Sequence, residues 1–118
     1  MSKKKLKKRL LIPLYGDKYV LIKISKIVYC QADGHYTYYY MKDGTKYISS
    51  KPLKVTQDLL YGKGFYRISR SLLINLNHLE RYDKMGRVML TGDVMFPVAV
   101  RKQTAFHRYL SEVHFTLT

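Results

Sequence analysis

The chain holds a single cysteine, Cys30, among its 118 residues. An intrachain disulfide is therefore impossible, and a lone thiol fits a reducing compartment. Free cysteine is among the most buried residue types, so Cys30 is expected to pack as a small strand residue. Long apolar runs are also missing. The apolar stretches are a few residues long, against the ~20 that a membrane-spanning helix needs. Near the N-terminus, Leu10-Leu11-Ile12 follows a basic start, but Pro13 comes too soon for a signal-peptide core. The expectation is a cytoplasmic chain with no membrane partner.

Acidic residues are scarce, eight in all, and scattered. Asp17, Asp33, Asp43 and Asp93 each sit beside a glycine, where turn chemistry accounts for them. His35, His78, His107 and His114 have no metal-ligand spacing and no second cysteine to join. Gly62 and Gly64 lack the rest of a phosphate-binding loop and precede no helical pattern. Nothing here assembles a catalytic or metal-binding constellation. The reading is a protein that is not an enzyme and takes no cofactor.

Positive charge is abundant. Lysine and arginine number 22, giving a formal net charge of +14. Six of these cations fall in Lys3–Arg9, so residues 1–9 read as a basic arm or a linker remnant. Residues 10–118 still carry a surplus of eight. By length they form one domain, and the 47% hydrophobic content fits a globular core. A surplus on the folded part favours a polyanion as partner, nucleic acid above all.

The pattern along the chain is mostly β. Leu10–Tyr15 and Lys18–Ile24 flank a Gly16-Asp17 turn, and Val20, Ile22 and Ile24 form the more apolar face. Lys26–Gln31 is a near-continuous apolar run, which predicts a central strand. Ala32-Asp33-Gly34 turns into His35–Met41, and Lys42-Asp43-Gly44 then leads to Thr45–Ser49, the strongest hairpin signal in the chain. Tyr36, Tyr38 and Tyr40 share one face, with Thr37, Tyr39 and Met41 on the other. A tyrosine row can stack on bases, or it can pack across strands and stiffen the hairpin. Pro52 opens a short helix with Leu53, Thr56, Leu59 and Leu60 at helical spacing. Strands are predicted at Phe65–Ser69, Leu72–Leu76, Glu80–Tyr82, Arg87–Thr91 and Val94–Val100. A closing helix over Arg101–Val113 has Phe106, Tyr109, Leu110 and Val113 as its apolar stripe.

The most informative stretch is Phe65–Leu79. Arg67-Ile68-Ser69-Arg70-Ser71 runs directly into the apolar block Leu72-Leu73-Ile74. Cationic forks thus border a segment that must be buried. Arginine reads guanine edges and grips phosphates, and serine donates to phosphate oxygens. Arg87, Arg101 and Lys102 also fall at strand ends or turns.

At these residues the chain resembles the LytTR DNA-binding domain family. Phe65-Tyr66-Arg67-Ile68-Ser69-Arg70-Ser71-Leu72-Leu73-Ile74-Asn75-Leu76 is similar to the family's core signature of aromatic, arginine, polar residues, apolar block and asparagine. Ile27–Tyr36 resembles its early strand and turn, Leu53–Leu60 its preceding helix, and Phe96-Pro97-Val98-Ala99-Val100-Arg101 its closing strand. The likeness covers about residues 10–112 of the chain, so the domain is set at residues 10–118.

The resemblance implies an elongated, mainly antiparallel β domain of several small sheets with one or two short helices. It implies a bacterial transcription regulator that inserts loops into successive major grooves of promoter DNA, at direct repeats bound by two copies. The DNA-contacting residues it implies are His35 and Tyr36 after the early strand, Arg67, Ser69, Arg70 and Ser71 in the signature turn, and Arg101 and Lys102 after the closing strand. Arg70 and Arg101 would read bases, while Arg67, Lys102 and the serines would hold the DNA backbone. Two departures stand out: position 70 is often Asn or Lys in the family, and Ala99 stands where Ser is common. In the family such a domain usually follows a receiver domain of a two-component response regulator or a membrane segment, so a receiver or sensor kinase partner applies if the chain is part of a longer regulator. Two other readings remain at this point: single-stranded nucleic-acid binding on the tyrosine-bearing surface, and a non-enzymatic protein-interaction module.

Overall fold

The computed structural model describes residues 8–14 and 16–118. Most of the basic stretch expected over residues 1–9 thus lies outside the described residues, and its last member, Arg9, opens the first strand. Three antiparallel sheets follow. Strands β1 (Arg9–Pro13) and β2 (Tyr19–Lys23) form a two-stranded hairpin around Gly16-Asp17. The central sheet takes β3 (Ile27–Asp33), β4 (Tyr36–Met41), β5 (Lys46–Ser49), β6 (Phe65–Arg67) and β7 (Leu72–Asn75) in the order β5-β4-β3-β7-β6. The third sheet takes β8 (Leu79–Asp83), β9 (Arg87–Leu90) and β10 (Val94–Pro97) in sequential order. Helix α1 (Leu53–Leu59) joins β5 to β6, and α2 (Gln103–Arg108) follows β10 and runs on as a π-helical segment, Tyr109–His114.

The apolar run at residues 26–31 does become the middle strand of the central sheet, covered on both faces. A β-bulge between Ile27 and Tyr29 reverses the alternation of side chains. Ile27 and Cys30 therefore enter one core, with Ile12, Ile22, Tyr39, Leu53 and Leu60. Val28 and Tyr29 turn to the other, with Ile68, Leu72, Ile74, Val88, Phe106 and Leu110. The sheet is a wall between two hydrophobic clusters, and Cys30 is fully buried within it.

Two buried polar groups tie the wall to its neighbours. The Asn75 side chain donates to the Ile27 carbonyl at 2.8 Å and accepts from the Asn77 amide at 3.0 Å. Tyr39 and Thr56 share a buried hydroxyl–hydroxyl bond of 3.0 Å, which fastens α1 to the sheet.

The helical stripes differ from simple periodicity at one residue each. Leu53, Thr56 and Leu60 are buried, but Leu59 is 54% exposed at the end of the short helix. In the closing helix Phe106 and Leu110 are buried while Val113 is 69% exposed. The winding there is i→i+5, as in the Phe115 amide bond to the Leu110 carbonyl at 2.8 Å. That wider turn carries the seventh residue off the face a regular α-helix would give it.

Candidate nucleic-acid interface

Three loops meet at one end of the central sheet, and backbone hydrogen bonds join them in a line. The first is the Gly34-His35 turn between β3 and β4, closed by the pair Asp33 and Tyr36. Gly34 takes φ of +61°, which glycine adopts without strain, so the turn sits one residue later than the Ala32-Asp33-Gly34 expected. His35 is thereby placed at the tip rather than in the strand. Both His35 and Tyr36 are exposed.

The second loop is Ser69-Arg70-Ser71, between β6 and β7. The Ile68 amide bonds the Leu72 carbonyl at 3.0 Å across its base. The Ala32 amide bonds the Ser71 carbonyl at 2.8 Å, tying this loop to the end of β3 beside the first turn. The third segment follows β10. The Ala99 amide bonds the Ile68 carbonyl at 2.9 Å, and Val100–Lys102 forms a single 3-10 turn into α2. Arg101 and Lys102 therefore stand at a helix entry instead of in an open loop.

The candidate arginines divide sharply. Arg70 and Arg101 are exposed. Arg67 turns inward and differs from the outward role expected of it. Its Nε donates to the Ser69 carbonyl at 2.9 Å, its Nη1 to Gln57 Oε1 at 2.9 Å, and its Nη2 to the Arg70 carbonyl. A planar guanidinium offers donors in a fixed fork, and here the fork spans the turn from beneath. Desolvation lowers the Arg67 pKa somewhat from its ordinary value, in keeping with its partial burial. Its geometry makes it the strut of the loop that displays Arg70. Within the same loop the Ser71 amide donates to Ser69 Oγ at 3.4 Å. Ser69, Ser71 and Lys102 are half-buried, and Lys102 lines a cavity of about 600 Å³ that Arg67 and Gln57 also border.

Two contributors had no clear sequence signal. Register places Thr37 opposite Ser49, so the chain leaving β5 passes the same end of the sheet. Thr37 Oγ1 donates to the Lys51 carbonyl at 2.8 Å, and Lys51 is exposed there. Gln57 acts only through Arg67, ten residues later. Both contacts depend on which strands lie side by side. Arg87, on β9 of the third sheet, makes a solvent-exposed pair with Asp83 at 3.0 Å.

The tyrosine row is largely occupied. Tyr40 stacks on Tyr29 with ring centroids 4.4 Å apart, and Tyr29 meets Phe96 edge-on at 4.8 Å. Lys46 Nζ lies over the Tyr38 ring at 4.8 Å. Tyr36, 51% exposed, is the member of the row most open to solvent. Among the described residues no group of His, Cys, Asp and Glu is placed to hold a metal ion, and no helix is long and apolar enough to cross a membrane.

Comparison with known proteins agrees with this arrangement. No curated protein matches the chain. A solved structure similar to it is described as the LytTr DNA-binding domain of a methyl-accepting/DNA response regulator from Bacillus cereus. The likeness has a TM-score of 0.69 at 20% sequence identity, over 86% of this chain and 94% of that one. At that identity it shows the shared fold of three small sheets and two helices. The LytTr DNA-binding domain family itself matches over residues 17–111. That span takes in all three loops and the strands that hold them, and the chain belongs to the LytTR family of DNA-binding domains, which serve transcription regulation.

Proposed function

We propose that residues 10–118 bind double-stranded DNA sequence-specifically as the output domain of a bacterial transcription regulator. The observation that carries this reading is the line of backbone bonds from Ala32 to Ser71 and from Ile68 to Ala99, which fixes three loops as one edge. From that edge the side chains of Arg70 and Arg101 are exposed to solvent. The loops enter successive major grooves, where Arg70 and Arg101 read base edges. Ser69, Ser71, Lys102 and Lys51 meet phosphates, and His35 and Tyr36 extend the contact along the duplex. Arg67 keeps the signature turn in one shape, so little loop entropy is lost on binding.

On this reading the sites are promoter direct repeats bound by two copies, and the chain acts in the cytoplasm. A receiver domain or sensor kinase enters if the chain is part of a longer regulator, with residues 1–9 as linker or as an added DNA-binding arm. The test is selection of bound duplexes from a random pool, followed by competition with single strands of the same sequence. A recovered motif and preference for the duplex support the reading; preference for the single strand overturns it.

A further inference from the structure

The end of the molecule remote from these loops has a different chemistry. In the β1–β2 hairpin, register places Leu11 opposite Leu21 and Pro13 opposite Tyr19. The alternation that buries Ile12 and Ile22 turns these residues outward, and Leu11, Leu21 and Tyr19 are 57%, 58% and 60% exposed. An outward strand face is ordinarily polar. Here its polar members are a cation pair, Arg9 opposite Lys23.

Beside this face runs a groove of about 480 Å³, between β2 and the β4–β5 turn. Leu21, Met41 and Tyr47 contribute apolar surface, and Lys23, Lys26 and Lys42 line it. Its one acidic residue, Asp43, is engaged by the Thr45 amide at 2.9 Å. Among the described residues strand β2 pairs with β1 alone, so its backbone on the groove side is an open sheet edge. Such an edge accepts an added strand through main-chain hydrogen bonds, with pockets selecting alternate side chains.

We infer that this groove docks an extended acidic segment of another protein, added as a strand along β2. Its apolar side chains would cover Leu21, Met41 and Tyr47, and its carboxylates would meet Lys23, Lys26 and Lys42. Charge selects the occupant. A second copy of this chain brings the same cations and a net charge of +14 against them. A nucleic acid would satisfy the lysines but leave the apolar lining at Leu21 and Met41 without an apolar partner. The six residues of β4 separate the groove from the Gly34-His35 turn by about 20 Å at ~3.4 Å per residue, so DNA and the acidic partner fit together. The inference goes beyond the DNA reading and does not depend on it.

The probe is a fluorescein-labelled decapeptide of alternating glutamate and valine, titrated into the full chain and followed by anisotropy and amide NMR shifts. The expected result is shifts at residues 19–23 and 41–47. K23Q/K42Q and, separately, Leu21→Ser should each weaken the peptide about ten-fold and leave the affinity for the selected duplex within about three-fold. Shifts centred on residues 34–36 and 69–71 would overturn the inference, as would equal binding of a peptide with glutamine in place of glutamate. Equal weakening of duplex and peptide by K23Q/K42Q would make the groove a nucleic-acid surface and also sink it. Failure of any duplex to bind, with the peptide still marking the groove, would end the DNA reading and leave this one standing.

Discussion

The Arg67 guanidinium donates to the backbone carbonyl of Arg70, three residues along, from underneath the turn that presents Arg70 to solvent. One arginine of the signature thus shapes the loop and the other is displayed by it. Together with Gln57, Arg67 couples the loop to α1. The two residues should therefore respond differently to substitution.

Arg67→Ala is expected to lower folding stability by about 1–3 kcal/mol, because the Ser69 and Arg70 carbonyls and Gln57 lose their common donor. DNA affinity falls with it as the turn loosens. Arg67→Lys should recover little, since an ammonium lacks the planar fork. Urea unfolding alongside duplex titration checks this; unchanged unfolding of Arg67→Ala would remove the strut role.

Arg70→Ala is expected to leave stability unchanged while costing about 1–3 kcal/mol on the selected site, with relaxed preference at one base pair. Lys51→Ala should instead weaken all duplexes alike and reduce the salt slope by about one. Titration of matched and mismatched duplexes across salt concentrations separates the two. A sequence-selective loss at Lys51, or a uniform one at Arg70, would exchange their assignments.

Asn75→Ala should destabilise the fold by about 1–3 kcal/mol, because it strands the buried Ile27 carbonyl and frees the Asn77 amide. Asn75 is 1% exposed, so water cannot replace the lost partner. Asn75→Asp should be no better, as it removes the Nδ2 donor. Thermal unfolding at several pH values gives the readout.

Burial pushes the Tyr39 phenol from its ordinary value of 10.0 up to about 12. The folded state thus binds this proton more tightly than the unfolded chain. The associated stabilisation is complete below pH 10 and is lost as pH rises through about 12. Burial also raises Tyr29, Tyr66 and Tyr82, in the same direction. Stability measured by urea unfolding should fall with alkaline pH in this window, and Tyr39→Phe should make the fall shallower. An equally steep fall in Tyr39→Phe would exclude Tyr39 as a contributor.

Cys30 is fully buried, and desolvation pushes its thiol pKa up. Reaction with a thiol-specific reagent at neutral pH should be negligible in the native protein and immediate in denaturant. Rapid labelling without unfolding would contradict the placement of Cys30 in the sheet wall.

The sequence by itself determined the features that act over a few residues. Glycine at turns, the alternation of Val20 and Ile22 with Tyr19, Leu21 and Lys23, the apolar run around Cys30 and the Phe65–Leu76 signature all carry local rules of backbone freedom and periodicity. They were enough to place the hairpins, the central strand and the family. The tertiary structure decided what each polar side chain meets. Arg67 looked outward in sequence, yet Gln57 and two turn carbonyls capture it. Lys51 carries no sequence signal, and strand register brings its carbonyl to Thr37, two residues past the Gly34-His35 turn. Val113 fitted an apolar stripe until the π-helical winding turned it away. The reason is common to all three: a hydrogen-bond partner or a helix face is set by which backbones lie side by side, and that information is spread across segments distant in the chain.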